Sequence, residues 1–460
     1  MAGRVPTSRF ARGRSLGRLA AGQAVRGVGT RLAMVGRTEQ ARRLLAERST
    51  LQTAQQLVTV LGGMKGAAMK LGQMLSVLDF ELVPEPYRDQ FRDKLAQLRD
   101  QAPAVSFDRM RTVVEEDLGP LGRIFADFDE TPIAAASIGQ VYRATLRDGR
   151  AVAVKVQYPG VDDAIEADMR NLAMFARLWK SFLPTAADTA VLDEISRNLT
   201  GELDYPREAR TQHLVARRYR GHPYITVPDS IGEFCAPRVL VSEYFDGQSF
   251  DRIRTLAAPE RDRIGELVYR FYVGSLFVDH EFCGDPHPGN MLLGADGRLA
   301  FIDFGLYNRM EPAHVELERA ALCAAAEYRA EDLHDMWSEQ GIIDPGHDVG
   351  PQECLEYTWA AAGWHLLDEP ITITSELATG AFVLAVDPRT AEFRGMRHQL
   401  LPPEHLFSRR ADFYTVGVLG QLEATNNWHR IAREWLYHEP PVTEIGQASR
   451  QWRRDRVDPR

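Results

Sequence analysis

Cysteine is scarce in this chain: Cys235, Cys283, Cys323 and Cys354 are the only four among 460 residues, and no two form a C-x-x-C pair. That pattern excludes a disulfide framework and a cysteine-rich zinc site. No stretch reaches the roughly 18 consecutive apolar residues of a membrane span. Positive charge does not dominate either. The formal net charge is -9 and the pI about 5.8, which excludes nucleic acid as the main partner. Acid is missing from one place, since residues 1–37 hold no Asp or Glu and arginines recur there between Gly, Ala and Ser. No apolar run in that segment resembles the core of a secretory signal. The segment reads as a basic, disordered tail on a cytoplasmic protein, suited to peripheral contact with anionic lipid head groups. An organelle transit peptide has a similar composition.

What is present is concentrated in one segment. Asp285-Pro286-His287-Pro288-Gly289-Asn290 is followed thirteen positions after Asn290 by Asp303-Phe304-Gly305. Phosphoryl transfer needs a carboxylate to orient the nucleophile, and an amide oxygen with a second carboxylate to hold the metal ions on the phosphates. Asp285 fits the first role, and Asn290 and Asp303 fit the metal roles. The five-residue interval from Asp285 to Asn290 is that of a kinase catalytic loop. Met291-Leu292-Leu293, the turn Gly294-Ala295-Asp296-Gly297 and Leu299-Ala300-Phe301-Ile302 predict a hairpin that delivers Asp303 beside Asn290. The His-Arg that precedes the catalytic Asp in ordinary protein kinases is lacking, with Cys283-Gly284 in its place. Cys283 is the thiol nearest this chemistry, although a small buried residue is the plainer reading.

Upstream, Val152-Ala153-Val154-Lys155-Val156 predicts a short apolar strand carrying one lysine, the residue type that holds the α- and β-phosphates. The hairpin before it should hold a glycine-rich loop. Instead it reads Ala134-Ala135-Ala136-Ser137-Ile138-Gly139, with alanine where glycine would let amides approach phosphate. Arg238-Val239-Leu240-Val241-Ser242-Glu243-Tyr244-Phe245 predicts a strand and a hinge, whose backbone at Glu243 to Phe245 would meet an adenine edge.

Together these segments resemble the UbiB (AarF-type) family of atypical protein-kinase-like proteins. Met69-Lys70-Leu71-Gly72-Gln73 is similar to its Lys-x-Gly-Gln signature, and Glu202-Leu203-Asp204 followed by Arg207-Glu208-Ala209 to its Glu-x-Asp helix. The likeness runs from about Lys70 to Gly305, with the motifs in the family's order. It implies ATP or ADP with Mg2+ as cofactors, bound by Ala134, Ala135, Ala136, Ser137, Gly139, Lys155, Glu243 and Phe245. It also implies that Lys70, Gln73, Glu202 and Asp204 form a polar cluster over the nucleotide that occludes a peptide substrate. Glu202 is the preferred carboxylate partner of Lys155, with Glu194 and Glu208 as competitors. The family's ties to isoprenoid-quinone and other lipid metabolism suggest an ATPase or a small-molecule or lipid-linked phosphotransferase. The alternatives are a nucleotide-binding regulatory scaffold and, ranked last, a conventional protein kinase.

The fold expected is α+β: a two-lobed protein-kinase-like fold with a small N-lobe sheet, a helical N-terminal extension and a mainly helical C-lobe. The expected divisions are a tail over 1–37, the extension over 38–120, the N-lobe with its hinge over 121–247, and the C-lobe over 248–460. An apolar stripe of Ala41, Leu44, Leu45, Leu51, Ala54, Leu57 and Leu61 predicts helix in the extension. Trp359, Trp364, His365, Trp428, His429 and Trp435 read as helical core rather than an aromatic binding box.

Overall fold

The computed structural model describes residues 105–136, 138–166, 201–343, 345–346, 348–386 and 402–457. The basic tail, the apolar stripe of the extension, Lys70, Gln73, Ser137 and Glu194 lie outside the described residues.

The first described element is helix α1 (Phe107–Leu118), which buries Met110, Val113 and Val114 on one face and ends at Gly119, where φ is 84°. That face closes one side of a five-stranded antiparallel sheet in which β1 (Phe125–Phe128), β3 (Gly139–Leu146), β4 (Ala151–Gln157) and β6 (Val239–Glu243) lie in that order. Strand β2 (Ala134–Ala135) pairs with β3 at the edge. Alternation decides what each face of β4 meets. Val152, Val154 and Val156 are fully buried in the core under α1, so Ala153 and Lys155 project to the opposite face. The turn Asp148–Gly149 joins β3 to β4, with Gly149 at φ 89°.

Helix α2 (Tyr205–Tyr219) crosses between the two lobes. Its N-cap is Asp204, whose side chain accepts the Arg207 amide at 2.9 Å, and Pro206 occupies the first turn. Tyr205, Glu208, Ala209, Gln212, Val215, Ala216 and Tyr219 form its buried stripe.

The second lobe is built on helix α3 (Ala258–Tyr269), which continues through a π-turn at Arg270–Gly274 into α4 (Ser275–Asp279). A four-stranded sheet stands beside it: β5 (Ile225–Thr226), β10 (Leu299–Phe301), β9 (Met291–Gly294) and β7 (Gly247–Ser249). Phe271 of the π-turn stacks on Phe301 at 3.6 Å between centroids, which locks the hairpin to the helix. Strand β8 (Glu281–Cys283) pairs with β11 (Tyr307–Arg309), so the chain enters and leaves the catalytic segment side by side. Helices α5 (Pro312–Ala326), α6 (Ala330–Glu339), α7 (Pro351–Ala362), α8 (Ser375–Val386), α9 (Pro403–Leu422), α10 (Trp428–Leu436) and α11 (Glu444–Val457) complete the lobe. Trp364, Trp428 and Trp435 are buried in its core, and Tyr269 packs against all three. The result is the two-lobed, kinase-like α+β architecture expected. Among the described residues no helix is long and apolar enough to cross a membrane.

Candidate active site

The hairpin predicted downstream of Asn290 forms: β9 and β10 pair Leu293 with Leu299 and Met291 with Phe301. Asp296 caps its turn by accepting the Arg298 amide at 3.0 Å, and Gly297 takes φ 79°. Its open end delivers Asn290 and Asp303 together, and the Ile302 amide donates to the Asn290 carbonyl at 3.1 Å. The loop from Gly284 to Asn290 is held by its own backbone. Gly284 donates to Leu306 at 2.7 Å, and His287 donates to the Asp285 carbonyl at 2.7 Å. Asn290 Nδ2 donates to the same carbonyl at 3.2 Å, which fixes the side-chain amide next to Asp285. His287 Nδ1 accepts the Gly289 amide at 3.0 Å and thereby shapes the turn between the two functional residues.

Lys155 reaches this loop from the opposite lobe. Its Nζ donates to Glu208 Oε1 at 2.8 Å and to Asp303 Oδ2 at 3.1 Å, with the Tyr205 ring centroid 5.2 Å away. Burial works against the charge on Lys155, but Asp303 and Glu208 outweigh it and hold its pKa well above the usual lysine value. The Glu208 pKa is raised too, here at the expense of its charge: burial pushes its carboxyl up to about 7, with Lys155 only partly offsetting this. The two findings agree physically, because one ammonium is divided between Glu208 and Asp303 while Glu208 is almost wholly desolvated.

Glu202 is not the partner of Lys155; Glu208 is. Sequence reasoning preferred Glu202 because it belongs to the motif. The chain turns at Leu203–Asp204, however, and Asp204 starts a new helix. Glu208 stands on the buried stripe of that helix with Tyr205 and Gln212, facing β4, whereas Glu202 precedes the cap. Glu202 stays close by: its Cγ is 3.8 Å from where a Cβ on Gly305 would stand, a point 3.6 Å from carboxylate oxygens of both Asp303 and Glu208. Asp204 is an exposed helix cap, a structural role that sequence reasoning did not assign to it.

The alanine-rich segment is a tight hairpin. Ala134 pairs with Val141 and Ala135 with Gln140, and the Ala136 amide donates to the Gly139 carbonyl at 2.8 Å, so this amide is engaged within the turn. The tip is anchored, since Ile138 is buried in the N-lobe core and its carbonyl accepts the Tyr158 amide at 2.8 Å. Gly139 has a packing reason: a Cβ there would collide with the Val156 carbonyl across the β3–β4 pair. Glu243 ends β6, where its carboxylate accepts the Asp229 amide at 2.9 Å, and the Tyr244 amide is held by the Ala151 carbonyl at 3.0 Å. The Phe245 ring packs over Gly247 and Gly294.

Two contributors lay outside the predicted set. Arg207 donates through Nη2 to the Gly305 carbonyl at 2.8 Å, tying helix α2 to the Asp303-Phe304-Gly305 turn. Cys283 is buried, and its Sγ lies 3.6 Å from the Asp303 carbonyl, so it backs the loop from behind. The signal for Arg207 was its place in the Arg207-Glu208-Ala209 segment, one position before the lysine's true partner.

The donor set suits Mg2+ bound to phosphates. Asn290 and Asp303 could supply hard oxygen ligands to a metal that takes its other ligands from phosphate and water. Among the described residues no group of three or more His, Cys, Asp or Glu is placed to hold a metal ion.

Residues 97–336 match the ABC1 atypical kinase-like domain. The chain is 33% identical over 268 residues to AarF domain-containing protein kinase 1 of Mus musculus, covering 56% of this chain and 50% of that one. It is 33% identical over 291 residues to ACTIVITY OF BC1 COMPLEX KINASE 8, chloroplastic, of Arabidopsis thaliana, covering 61% of this chain and 38% of the relative. The chain thus spans half or less of the length of these curated relatives. Among solved structures, Rv3197 of Mycobacterium tuberculosis, determined in complex with erythromycin, is 31% identical with a TM-score of 0.61, and the match covers 87% of this chain and all of that one.

Proposed function

The chain belongs to the ABC1 atypical kinase-like (UbiB, AarF-type) family, and on that premise we propose that it binds ATP with Mg2+ and either hydrolyses it or transfers its terminal phosphoryl group. The observation that carries this reading is the Lys155–Glu208 ion pair, with Asp303 reaching the same ammonium from the other lobe. That pairing is the arrangement phosphoryl transfer requires of its lysine and helix carboxylate.

Each residue then has a role. Lys155 holds the α- and β-phosphates, with its stem fixed by β4 and its head steered by Glu208. Asn290 and Asp303 would hold the metal, which supplies neutralisation of charge on the phosphate oxygens. For this, Asp303 gives up its contact with Lys155 as the lysine turns to phosphate. Asp285, held by the His287 and Asn290 contacts to its carbonyl, orients water or a substrate hydroxyl. The backbone from Glu243 to Phe245 borders the adenine. Retention of Lys155, Asp285, Asn290 and Asp303 favours turnover over a scaffold that only binds. The resemblance supports a lipid-linked or other small-molecule acceptor, with peripheral membrane contact through the basic N-terminus.

The test is phosphate release from Mg-ATP by the purified chain, with and without anionic liposomes, beside Asp285→Asn. We expect activity in the wild type and a loss of at least about a hundredfold in the variant, in line with the value of a positioned general base. Binding of nucleotide without release under either condition would move the protein to the scaffold reading.

A further inference from the structure

Away from the nucleotide cleft, the large lobe contains a part-enclosed cavity with about 900 Å³ of atom-free space, its open mouth included. Helices α4, α5, α6, α7 and α9 surround it. Most of its wall is apolar, with Leu276, Phe282, Ala321 and Trp337 among the lining side chains. One rib is polar, formed by Glu318, His365, His405, Ser408, Arg409 and Asp412.

The polar rib is satisfied at one end only. Glu318 accepts from Ser408 Oγ at 2.6 Å and pairs with His405 Nδ1 at 2.7 Å; burial opposes its charge, but these bonds and Arg409 keep its pKa below the usual value. Arg409 donates to the Tyr357 hydroxyl at 3.0 Å and lies over the Trp337 and Tyr357 rings. The other end differs. Asp412 Oδ1 and His365 Nε2 are buried, and neither atom has a hydrogen-bond partner. A buried polar atom left unmatched costs about 1–3 kcal/mol, and both residues line this cavity, so a ligand that reached them from it would gain by supplying the missing bonds. Burial, with Glu318 adding to it, raises the Asp412 carboxyl to about 8, and burial lowers His365 to about 3. Both groups are thus uncharged near neutral pH, and a charged head group finds no free counter-ion there.

We propose that this cavity is a second binding site, taking a neutral amphipathic small molecule whose apolar body lies against Leu276, Phe282 and Trp337 and whose hydroxyl or carbonyl oxygen bonds Asp412. It differs from the nucleotide site in position and in ligand chemistry. One wall adjoins the strand that leads to the catalytic loop, since Phe282 belongs to β8, two residues before Gly284.

The test uses the full chain and N-phenyl-1-naphthylamine, a neutral fluorescent probe. Saturable fluorescence enhancement is expected, with decan-1-ol displacing the probe at a concentration at least tenfold lower than decylammonium or decanoate. Ala321→Trp, which fills the cavity from α5, should abolish the signal, and Ala361→Trp does the same from α7 if the first variant fails to fold. Asp412→Leu should weaken decan-1-ol several-fold while the probe still binds. Absence of saturable binding, or undiminished binding in a folded tryptophan variant, would overturn the site. A preference for either charged competitor would overturn the ligand class.

Discussion

Lys155 keeps its charge in a cleft between lobes because two carboxylates reach it from opposite sides, Glu208 from helix α2 and Asp303 from the hairpin. Removing one partner leaves a buried ammonium that is poorly placed rather than neutral. Glu208→Gln is therefore expected to lower phosphate release by about a hundredfold, the scale of a misplaced catalytic group, with Glu202→Gln costing less than about tenfold. Equal losses in both variants would return the pairing role to Glu202. Gly139→Ala tests the other residue-scale claim. Its Cβ meets the Val156 carbonyl, so a stability loss of about 1–3 kcal/mol is expected from overpacking, measured by chemical denaturation. An unchanged midpoint would show that the glycine serves the nucleotide instead. At this scale, Asp285, Asn290, Asp303 and Lys155 were legible because their spacing is dictated by one hairpin and one strand. The choice between Glu202 and Glu208 was missed, because the break at Leu203–Asp204 resets the helical phase; its local signal, Asp204 as N-cap with Pro206 in the first turn, was outweighed by the motif match of Glu202.

Among the elements, helix α2 does most to unite the site, since it carries Tyr205 and Glu208 toward Lys155 and Arg207 toward Gly305. The Arg207–Gly305 bond joins that helix to the turn bearing Asp303. Arg207→Ala should leave the fold intact and lower phosphate release by about tenfold or more through a misplaced Asp303. A variant with wild-type kinetics would make Arg207 a surface contact only. The alanine-rich hairpin was legible as a hairpin, but its anchoring through Ile138 was not. An apolar residue at a turn tip reads as exposed until the sheet above it is known.

For the whole molecule, the buried acids make stability depend on pH. Burial raises Asp412 from the usual 3.8 to about 8 and Glu208 from 4.5 to about 7. The folded state therefore holds protons that the unfolded chain releases, and stability falls as pH rises through the interval between the two values. The melting temperature should decline between pH 5 and pH 8, and Asp412→Asn should flatten that decline by a few degrees. Parallel curves for the two proteins would contradict the assignment. The two-lobed plan was legible from the order of motifs, and the buried tryptophans from their helical surroundings. The second cavity was not, because its wall is gathered from helices spread between Tyr272 and Phe413 and carries no local motif. The basic tail, Lys70 and Gln73 belong to the segment outside the described residues.

The account rests on Lys155, Asn290 and Asp303 forming a Mg-nucleotide site, and the most direct measurement is the shift in melting temperature on adding Mg-ATP. Ligand at about a hundred times its dissociation constant stabilises by roughly 2.7 kcal/mol, a shift of several degrees. We predict that shift in the wild type and in Asp285→Asn, and its loss in Lys155→Met and Asp303→Asn. No shift in the wild type, or an equal shift in all four proteins, would contradict the account.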